Sequence, residues 1–314
     1  MRYISDILIE KIIERKSPVV VGLDPDFEKM PKEITLKYLE KYGASLKAVS
    51  ESIMAFNKGI IDAIYDLVPA VKPQIAFYEQ YGIEGLIAYK WTCDYAKEKG
   101  LIVIADVKRG DIGSTSQAYA NAYLGHVQVG SEKISAFESD YATVNPYLGD
   151  DCLVPFVTYA AQAAKGIFVL VKTSNATSSQ IQDLKVNGTD ETVYDQVADM
   201  VNHWNNQVVG DSGYSPIGAV VGATYPEELI TLRSKMPKAI FLVPGYGAQG
   251  GGGDDVVGAF NADGLGAIVN SSRGILYAYL KCDLGYAEAA REATQSMIAD
   301  INDALARANK KYWV

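Results

Sequence analysis

The sequence has few of the residues on which several common protein chemistries depend. Histidine occurs only at His126 and His203, and neither position ends an apolar run. A histidine-based zinc site or a Ser–His–Asp hydrolase is therefore not expected. Cys93, Cys152 and Cys282 are odd in number, widely spaced and without a C-x-x-C pair, which argues against a disulfide framework or a thiolate metal site. Isolated cysteines of this kind usually serve in packing.

Long apolar runs and an excess of positive charge are also missing. No run approaches the roughly 18 apolar residues of a membrane span, and Asp6, Glu10 and Lys11 interrupt any signal-peptide core. The net charge of −9 disfavours a nucleic-acid-binding surface, because such a surface must neutralise phosphates. A small anionic ligand stays compatible, since a cationic pocket can lie in an acidic protein. We expect a cytoplasmic protein without membrane or nucleic-acid partners.

Strand-like and helix-like segments alternate along nearly the whole chain. Ile4–Glu14 has apolar residues at helical spacing and predicts a helix packed on the core. Continuous apolar runs such as Pro18–Asp24 and Leu101–Asp106 are typical of buried parallel strands. The other predicted strands are Pro69–Phe77, Tyr141–Val144, Ile167–Val171, Ile217–Val221, Ala239–Val243 and Ala267–Asn270. The other predicted helices are Ala44–Leu67, Glu84–Lys99, Ser114–Leu124, Val193–Gln207, Pro226–Met236 and Ala287–Ala306.

This alternation predicts an α/β fold, and a (β/α)8 barrel (TIM barrel) fits the count of about eight strands best. A doubly wound open sheet is the alternative. No linker or shift in composition divides the chain, so we expect residues 1–314 to form a single barrel domain, with the N-terminal helix covering the barrel. Reactive residues of such barrels lie at the carboxyl ends of the strands and in the following loops.

The densest group of charges at a predicted strand end is Asp106-Val-Lys108-Arg-Gly-Asp111. Strand side chains alternate between faces, so Asp106 and Lys108 are expected to point to the same side. Lys72, in the neighbouring predicted strand, can reach the same space. Each charge taken alone is compatible with an exposed loop. Charges at the end of an apolar strand require partners, however, and alternating lysines and aspartates supply them.

A second group of residues has the composition of an anion-binding site. Gly245–Gly253 follows the seventh predicted strand, and Asn270–Gly274 follows the eighth. Barrels frequently bind phosphate with these two loops, and glycines let backbone N–H groups approach the anion closely. Arg273 suits bidentate phosphate binding, and Gln249 can donate from its amide. The alternatives are a flexible loop with a surface arginine and a dinucleotide site; the G-x-G-x-x-G spacing lacks the βαβ context that a dinucleotide site requires.

The segment Asp106–Thr115 is similar to the signature D-x-K-R-G-D-I-G-S-T of the orotidine 5′-phosphate decarboxylase family, and most similar to its long-chain bacterial-type branch. Further matching segments follow in order along essentially the whole chain. They are Val21–Pro25, Lys72–Glu79, Val144–Tyr147, Val171–Asn175, Pro244–Gly251 and Asn270–Gly274. One departure is Ala176-Thr177 after Asn175, where this branch more often has Pro-Gly, so the shape of this loop is expected to differ.

The resemblance implies removal of CO₂ from orotidine 5′-phosphate to give UMP, the last step of de novo pyrimidine synthesis, without a metal or an organic cofactor. It implies that Lys108 stabilises the carbanion at C6 and protonates it. It also implies a homodimer in which Asp111 reaches the ribose of the other subunit. The other implied contacts are Asp106 to the substrate carboxylate, Lys72 to Asp106 and ribose, Asp24 to ribose, Ser174 to the pyrimidine amide, Gln249 and Arg273 to phosphate, and Gly247 and Asn145 to substrate.

Two other functions are compatible with the same barrel. A related sugar-phosphate decarboxylase would use the acidic pair to hold Mg²⁺. A catalytically silent barrel would only bind ligands that resemble UMP. The complete set of Lys72, Asp106, Lys108 and Asp111 disfavours the silent barrel.

Overall fold

Eight parallel strands pair in chain order and close on themselves, which confirms the predicted barrel and excludes the open sheet. The computed structural model describes residues 2–162, 164–224, 226–247 and 251–313. An exposed antiparallel hairpin, β4–β5, stands apart from the barrel. The strands are β1 (Val19–Leu23), β2 (Ala70–Pro73), β3 (Ile102–Arg109), β4 (Val127–Val129), β5 (Glu132–Ile134), β6 (Tyr141–Val144), β7 (Gly166–Lys172), β8 (Ser215–Val221), β9 (Ala239–Pro244) and β10 (Ala267–Ser271).

Helices occupy the connections between the barrel strands. They are α1 (Ile4–Arg15), α2 (Lys32–Tyr42), α3 (Leu46–Ile64), α4 (Ala76–Glu79), α5 (Gly82–Glu98), α6 (Gly113–Tyr123), α7 (Asp150–Gln162), α8 (Ser179–Gln182), α9 (Val193–Asn205), α10 (Pro226–Lys235), α11 (Gly253–Val256), α12 (Arg273–Leu276) and α13 (Tyr286–Arg307). Single 3₁₀ turns lie at Phe27–Lys29, Val257–Ala259 and Ala278–Lys281. Within the described ranges, none of these helices combines the length and apolarity that a bilayer crossing requires.

The interior of the barrel is packed by apolar side chains from all eight strands, because alternate residues of each strand point inward. One end of this interior is closed by α1, which adds Ile4, Leu8, Ile9 and Ile12 to the same buried cluster. The Asp6 carboxylate accepts the Ser212 backbone N–H at 2.9 Å, just before β8 begins. Helix α1 therefore packs at the amino ends of the strands, and the carboxyl ends stay available for a site.

One predicted strand is shorter than expected. The sequence pattern predicted a strand over Pro69–Phe77, but β2 ends at Pro73 and Phe77 lies in α4. Proline has no backbone N–H, so it cannot continue the hydrogen-bond ladder as a donor. The following turn is fixed by the buried Tyr78, whose hydroxyl donates to the Leu23 carbonyl at 3.1 Å.

Candidate active site

Asp106 is the centre of a hydrogen-bonded cluster at the carboxyl end of β3. Its Oδ2 accepts from Lys72 Nζ at 2.7 Å and from Gln74 Nε2 at 2.8 Å. Its Oδ1 accepts from Lys108 Nζ at 2.5 Å and from Thr143 Oγ1 at 3.1 Å. The structure thus brings together Lys72, Asp106 and Lys108, as the sequence predicted, and adds two residues that the sequence analysis did not single out.

The cluster keeps its charges because opposite charges lie together. Burial alone would raise the pKa of Asp106, but Lys72 and Lys108 outweigh it and hold that pKa well below its usual range. Burial alone would lower the pKa of Lys72, but Asp106 and the nearby Asp24 outweigh it and raise that pKa. At neutral pH the Lys72–Asp106 pair is therefore ionised.

The two lysines differ in their access to solvent. The side chain of Lys72 is 6% exposed, whereas that of Lys108 is 46% exposed. Both line a cavity of about 360 Å³ at the barrel mouth. The rest of its wall combines polar groups with apolar side chains, and the lining residues include Thr143, Leu170, Thr173, Ser174, Asn175, Val220, Leu242 and Pro244. Lys108 can therefore reach a bound molecule while it stays paired with Asp106.

Lys108 does not lie on a regular strand. The pairing of β3 with β6 shifts between Ala105 and Arg109, and Lys108 has a φ of +47°. This left-handed conformation is uncommon for a residue other than glycine. The expectation that Asp106 and Lys108 share a side is met, but within a β-bulge rather than by simple alternation.

Ser174 reaches the cavity through a close approach of two backbone segments. A Cβ atom on Gly222, just after β8, would lie 2.8 Å from Ser174 Cβ and 2.9 Å from its Cα, so glycine is required there. The base of the loop that carries Ser174 is fixed by Lys172, a fully buried lysine that pairs with Asp183 and, at 3.6 Å, with Glu228. Lys172 therefore holds this loop in place, while Ser174 lines the cavity.

Three other predicted site residues lie in the segments that follow β1, β3 and β6. Asp24 follows β1, and its Oδ1 is buried without a hydrogen-bond partner among the described residues. Asp111 accepts the Ile112 backbone N–H at 2.8 Å and, within the described residues, makes no hydrogen bond to the cluster. Asn145 is exposed and lines a neighbouring cavity of about 230 Å³. Of these three residues, Asp24 has the buried carboxylate oxygen that stays available to a ligand.

One predicted phosphate ligand, Arg273, lines a different cavity from the Asp106 cluster. Arg273, the first residue of α12, is exposed and lines a cavity of about 440 Å³ together with Tyr246 and Gly247. Gln249 lies outside the described residues. The segments on either side of it are held by one carboxylate, since Asp300 Oδ2 accepts the Tyr246 hydroxyl and the Gly253 backbone N–H, each at 2.7 Å.

Within residues 2–162, 164–224, 226–247 and 251–313, no three His, Cys, Asp or Glu side chains come together in a way that could hold a metal ion. Both oxygens of Asp106 already accept hydrogen bonds from Lys72, Gln74, Lys108 and Thr143. A cation at this carboxylate would have to displace those donors.

Comparison with known proteins gives a consistent result. The model of the orotidine 5′-phosphate decarboxylase / HUMPS family matches residues 17–281. The chain is 47% identical over 293 residues to the orotidine 5′-phosphate decarboxylase of Rhodopirellula baltica, covering 91% of this chain and 94% of that one. It is 42% identical over 296 residues to the enzyme of Clostridium acetobutylicum, covering 93% of this chain and 97% of that one.

Solved structures agree with these relatives. The orotidine monophosphate decarboxylase of Leishmania donovani superposes with a TM-score of 0.70 at 30% identity, covering 95% of this chain and 98% of that one. The enzyme of Methanocaldococcus jannaschii, solved with the inhibitor BMP, gives a TM-score of 0.58 at 17% identity over 90% of this chain and 98% of that one, and supports the fold alone. The chain therefore belongs to the orotidine 5′-phosphate decarboxylase / HUMPS family.

Proposed function

We infer that this chain converts orotidine 5′-phosphate to UMP and CO₂ in pyrimidine biosynthesis, and that Lys108 carries the chemistry. The relatives at 42–47% identity support the reaction. The observation that supports the assignment to Lys108 is the contrast between the two lysines paired with Asp106. Lys72 is buried, whereas Lys108 is half-exposed beside the cavity, so Lys108 has the access that a proton donor needs.

The proposed step needs only the substrate and groups of this chain. The bond between C6 and the carboxyl carbon breaks, CO₂ leaves, and the bonding electron pair stays on C6. The Lys108 ammonium stabilises that charge and then transfers a proton to C6, and the resulting amine regains a proton from water. Asp106 holds the ammonium at 2.5 Å, so little reorganisation is needed as the charge develops.

The remaining assignments follow the shape of the mouth. We propose that Ser174 binds the pyrimidine amide against the apolar wall of the cavity, and that Asn145 and Gly247 contact the substrate at the rim. Asp24 and Lys72 bind ribose hydroxyls, and the unpartnered Oδ1 of Asp24 supports this assignment. Arg273 and Gln249 bind the phosphate. The substrate then extends from the cavity that Ser174 lines to the cavity that Arg273 lines.

We also propose a homodimer in which Asp111 of one subunit contacts the ribose bound by the other. In this chain the Asp111 carboxylate has no hydrogen bond to the cluster among the described residues. Its neighbour Ile112 is 56% exposed, and Tyr147, another large apolar side chain, is 79% exposed. Exposed apolar groups beside a charged functional residue are typical of a surface that another subunit covers.

We place the protein in the cytoplasm. All three cysteines are free thiols, and Cys282 is exposed. A reducing compartment keeps such a thiol from forming disulfides.

The alternative hypothesis is a related sugar-phosphate decarboxylase that would hold Mg²⁺ with the acidic pair. The donors that already occupy both oxygens of Asp106 disfavour that alternative. The deciding experiment follows the ultraviolet absorbance of orotidine 5′-phosphate with and without EDTA, and identifies UMP as the product. We expect substrate loss that EDTA does not change. Binding of UMP without turnover would instead support a silent barrel, and loss of activity in EDTA would support the metal-dependent alternative.

A further inference from the structure

Thr143 lies where the two strands of the catalytic bulge meet. It is the third residue of β6, its side chain is buried, and it lines the cavity. Its Oγ1 accepts the backbone N–H groups of Val107 and Lys108, each at 2.9 Å. The same hydroxyl donates its hydrogen to Asp106 Oδ1 at 3.1 Å. One hydroxyl group therefore bonds to three consecutive residues of β3.

The strand pairing explains why these amides need a side-chain acceptor. Ala105 pairs with Ala142 and Arg109 pairs with Val144, so three residues of β3 stand opposite Thr143 alone. A bulge of this kind removes ladder partners from the extra residues. A buried backbone N–H without a partner is costly, and the Thr143 hydroxyl supplies an acceptor for two of them.

The backbone of the bulge is also in an unfavourable conformation. Lys108 has a φ of +47°, which disfavours any residue with a Cβ atom and persists only where surrounding contacts impose it. The bonds from Thr143 join the backbone of Lys108 to the carboxylate that holds its ammonium. The direction in which the Lys108 side chain leaves the strand depends on this backbone conformation.

We propose that Thr143 is a positioning residue. It holds the 106–108 bulge with Lys108 in the left-handed conformation, and so orients the Lys108 ammonium toward the reacting carbon. The proposal rests on the proposed function of Lys108. It assigns to the hydroxyl of Thr143 a contribution to turnover rather than to binding, because its three hydrogen bonds go to Asp106, Val107 and Lys108, within the group that holds the proton donor.

The test compares side chains that differ in the acceptor. Thr143→Val keeps the size and removes the hydroxyl, Thr143→Ser keeps the hydroxyl, and Thr143→Cys offers only a weak acceptor. We expect kcat to fall in the order Thr, Ser, Cys, Val, with a loss on the order of 10²-fold for Val, the usual result of a misplaced reacting group. Thr294→Val is the matched control, since Thr294 is buried in α13 and its hydroxyl bonds to the Ala290 carbonyl at 2.7 Å.

The rate is measured per active site, with sites counted by titration with UMP. A residue that only stabilises the fold would change the number of sites, whereas a positioning residue lowers kcat per site and leaves KM and the affinity for UMP within about threefold. Equal kcat per site for the Val, Ser and wild-type proteins would overturn the proposal. If the Val variant does not fold, equal kcat for the Ser and Cys variants would overturn it.

Failure of the positioning role can be told apart from failure of the proposed function. If wild type does not decarboxylate orotidine 5′-phosphate, or if Lys108→Ala keeps wild-type kcat, the function assigned to Lys108 is wrong. If Lys108→Ala is inactive and Thr143→Val keeps full kcat per site, only the role of Thr143 is wrong. A crystal structure of Thr143→Val should also show Lys108 outside the left-handed region, and an unchanged bulge in that structure would contradict the proposal.

Discussion

The two sides of the barrel mouth are built in different ways. Beside β2, β3 and β6, the Asp106 carboxylate accepts four side-chain hydrogen bonds, and Lys72 and Thr143 are buried. Beside β9 and β10, Arg273 is exposed and the described glycines around it carry no side chains that could form such a cluster. The first side is held in place by hydrogen bonds within the chain, whereas the second presents an exposed cation.

This difference matches the two tasks that the substrate sets. A group that stabilises a developing charge acts best when it is already oriented, because reorganisation during the reaction costs energy. A group that binds a non-reacting phosphate can use its binding energy to bring a loop over the mouth. We call the side beside β2, β3 and β6 the cluster side, and the side beside β9 and β10 the phosphate side. We expect changes on the cluster side to lower the rate of the chemical step. Changes on the phosphate side should lower both the affinity for substrate and the fraction of sites that assemble.

The largest effect is expected from Lys108→Ala, because this change removes the residue proposed to be both the stabilising cation and the proton donor. Turnover should fall by at least about 10²–10⁴-fold, while the protein stays folded because Lys108 is half-exposed. The matched control is Lys90→Ala, a lysine of similar exposure on α5 that pairs with Asp94 at 2.8 Å. A Lys108→Ala rate within about tenfold of wild type would remove Lys108 from the mechanism.

A complementation experiment tests whether Lys108 and Asp111 of one active site come from different subunits. Lys108→Ala and Asp111→Ala proteins should each be inactive, but mixing them should restore activity. In an equal mixture of freely exchanging C₂ dimers, about one quarter of all sites would have both residues intact. Subunit exchange is verified separately with differently tagged chains. A mixture that exchanges and remains inactive would contradict a shared site.

On the phosphate side, Arg273→Ala should raise KM and lower kcat/KM on the order of 10²-fold, because a charged bidentate contact is lost. Gln249→Ala should cost less, since glutamine is neutral, and the two effects should not add, since both residues are proposed to hold one phosphate. The control substrate is orotidine without its phosphate, which should react slowly and respond little to either change. If that substrate loses as much rate from Arg273→Ala as the full substrate does, Arg273 is not a phosphate ligand.

The smallest effect concerns stability and pH. Burial opposes ionisation of Asp106, but Lys72 and Lys108 hold its pKa well below the usual range, so its charge stabilises the fold at any pH above the unfolded value near 3.9. That stabilisation is lost as pH falls from there through the folded pKa. Thermal unfolding should show wild type losing stability relative to Asp106→Asn below about pH 4, by up to about 1.4 kcal/mol per pH unit. If the difference in unfolding free energy between the two proteins stays constant from pH 3 to pH 7, the low pKa assigned to Asp106 is wrong.

Much of the cluster side can be predicted from the sequence, since it follows from where strands end. Asp106 is predicted from the apolar run Leu101–Asp106, which stops at a charge, and Lys72 is predicted from its place in the neighbouring strand Pro69–Phe77. Their contact follows from neighbouring strands in a parallel barrel. The bulge could not be predicted, because alternation assumes one residue opposite one residue. Thr143 looks like an ordinary strand residue in Tyr-Ala-Thr-Val, and its role depends on a three-to-one pairing that no local pattern encodes.

Two helices of more than ten residues were also not predicted from the sequence, for physical reasons. Helix α7 contains Pro155, a residue that normally interrupts a helix, so its segment gave no clear helical signal. Helix α2 buries only Thr35, and a helix that packs so little has a weak apolar pattern. Neither helix carries a predicted site residue, so the positions of the reacting groups could be predicted better than the outer layer.

The closed amino end of the barrel determines how a gas can leave. Side chains from all eight strands and from α1 fill the interior, and those that form this cluster are almost completely buried. Among the residues that the structure describes, such close packing leaves no room for a channel along the barrel axis. Carbon dioxide must therefore depart through the same mouth that admits the nucleotide. Any segment that covers the mouth during the reaction also confines the CO₂. Both products escape only when that segment opens again. Decarboxylation becomes irreversible in practice at that moment.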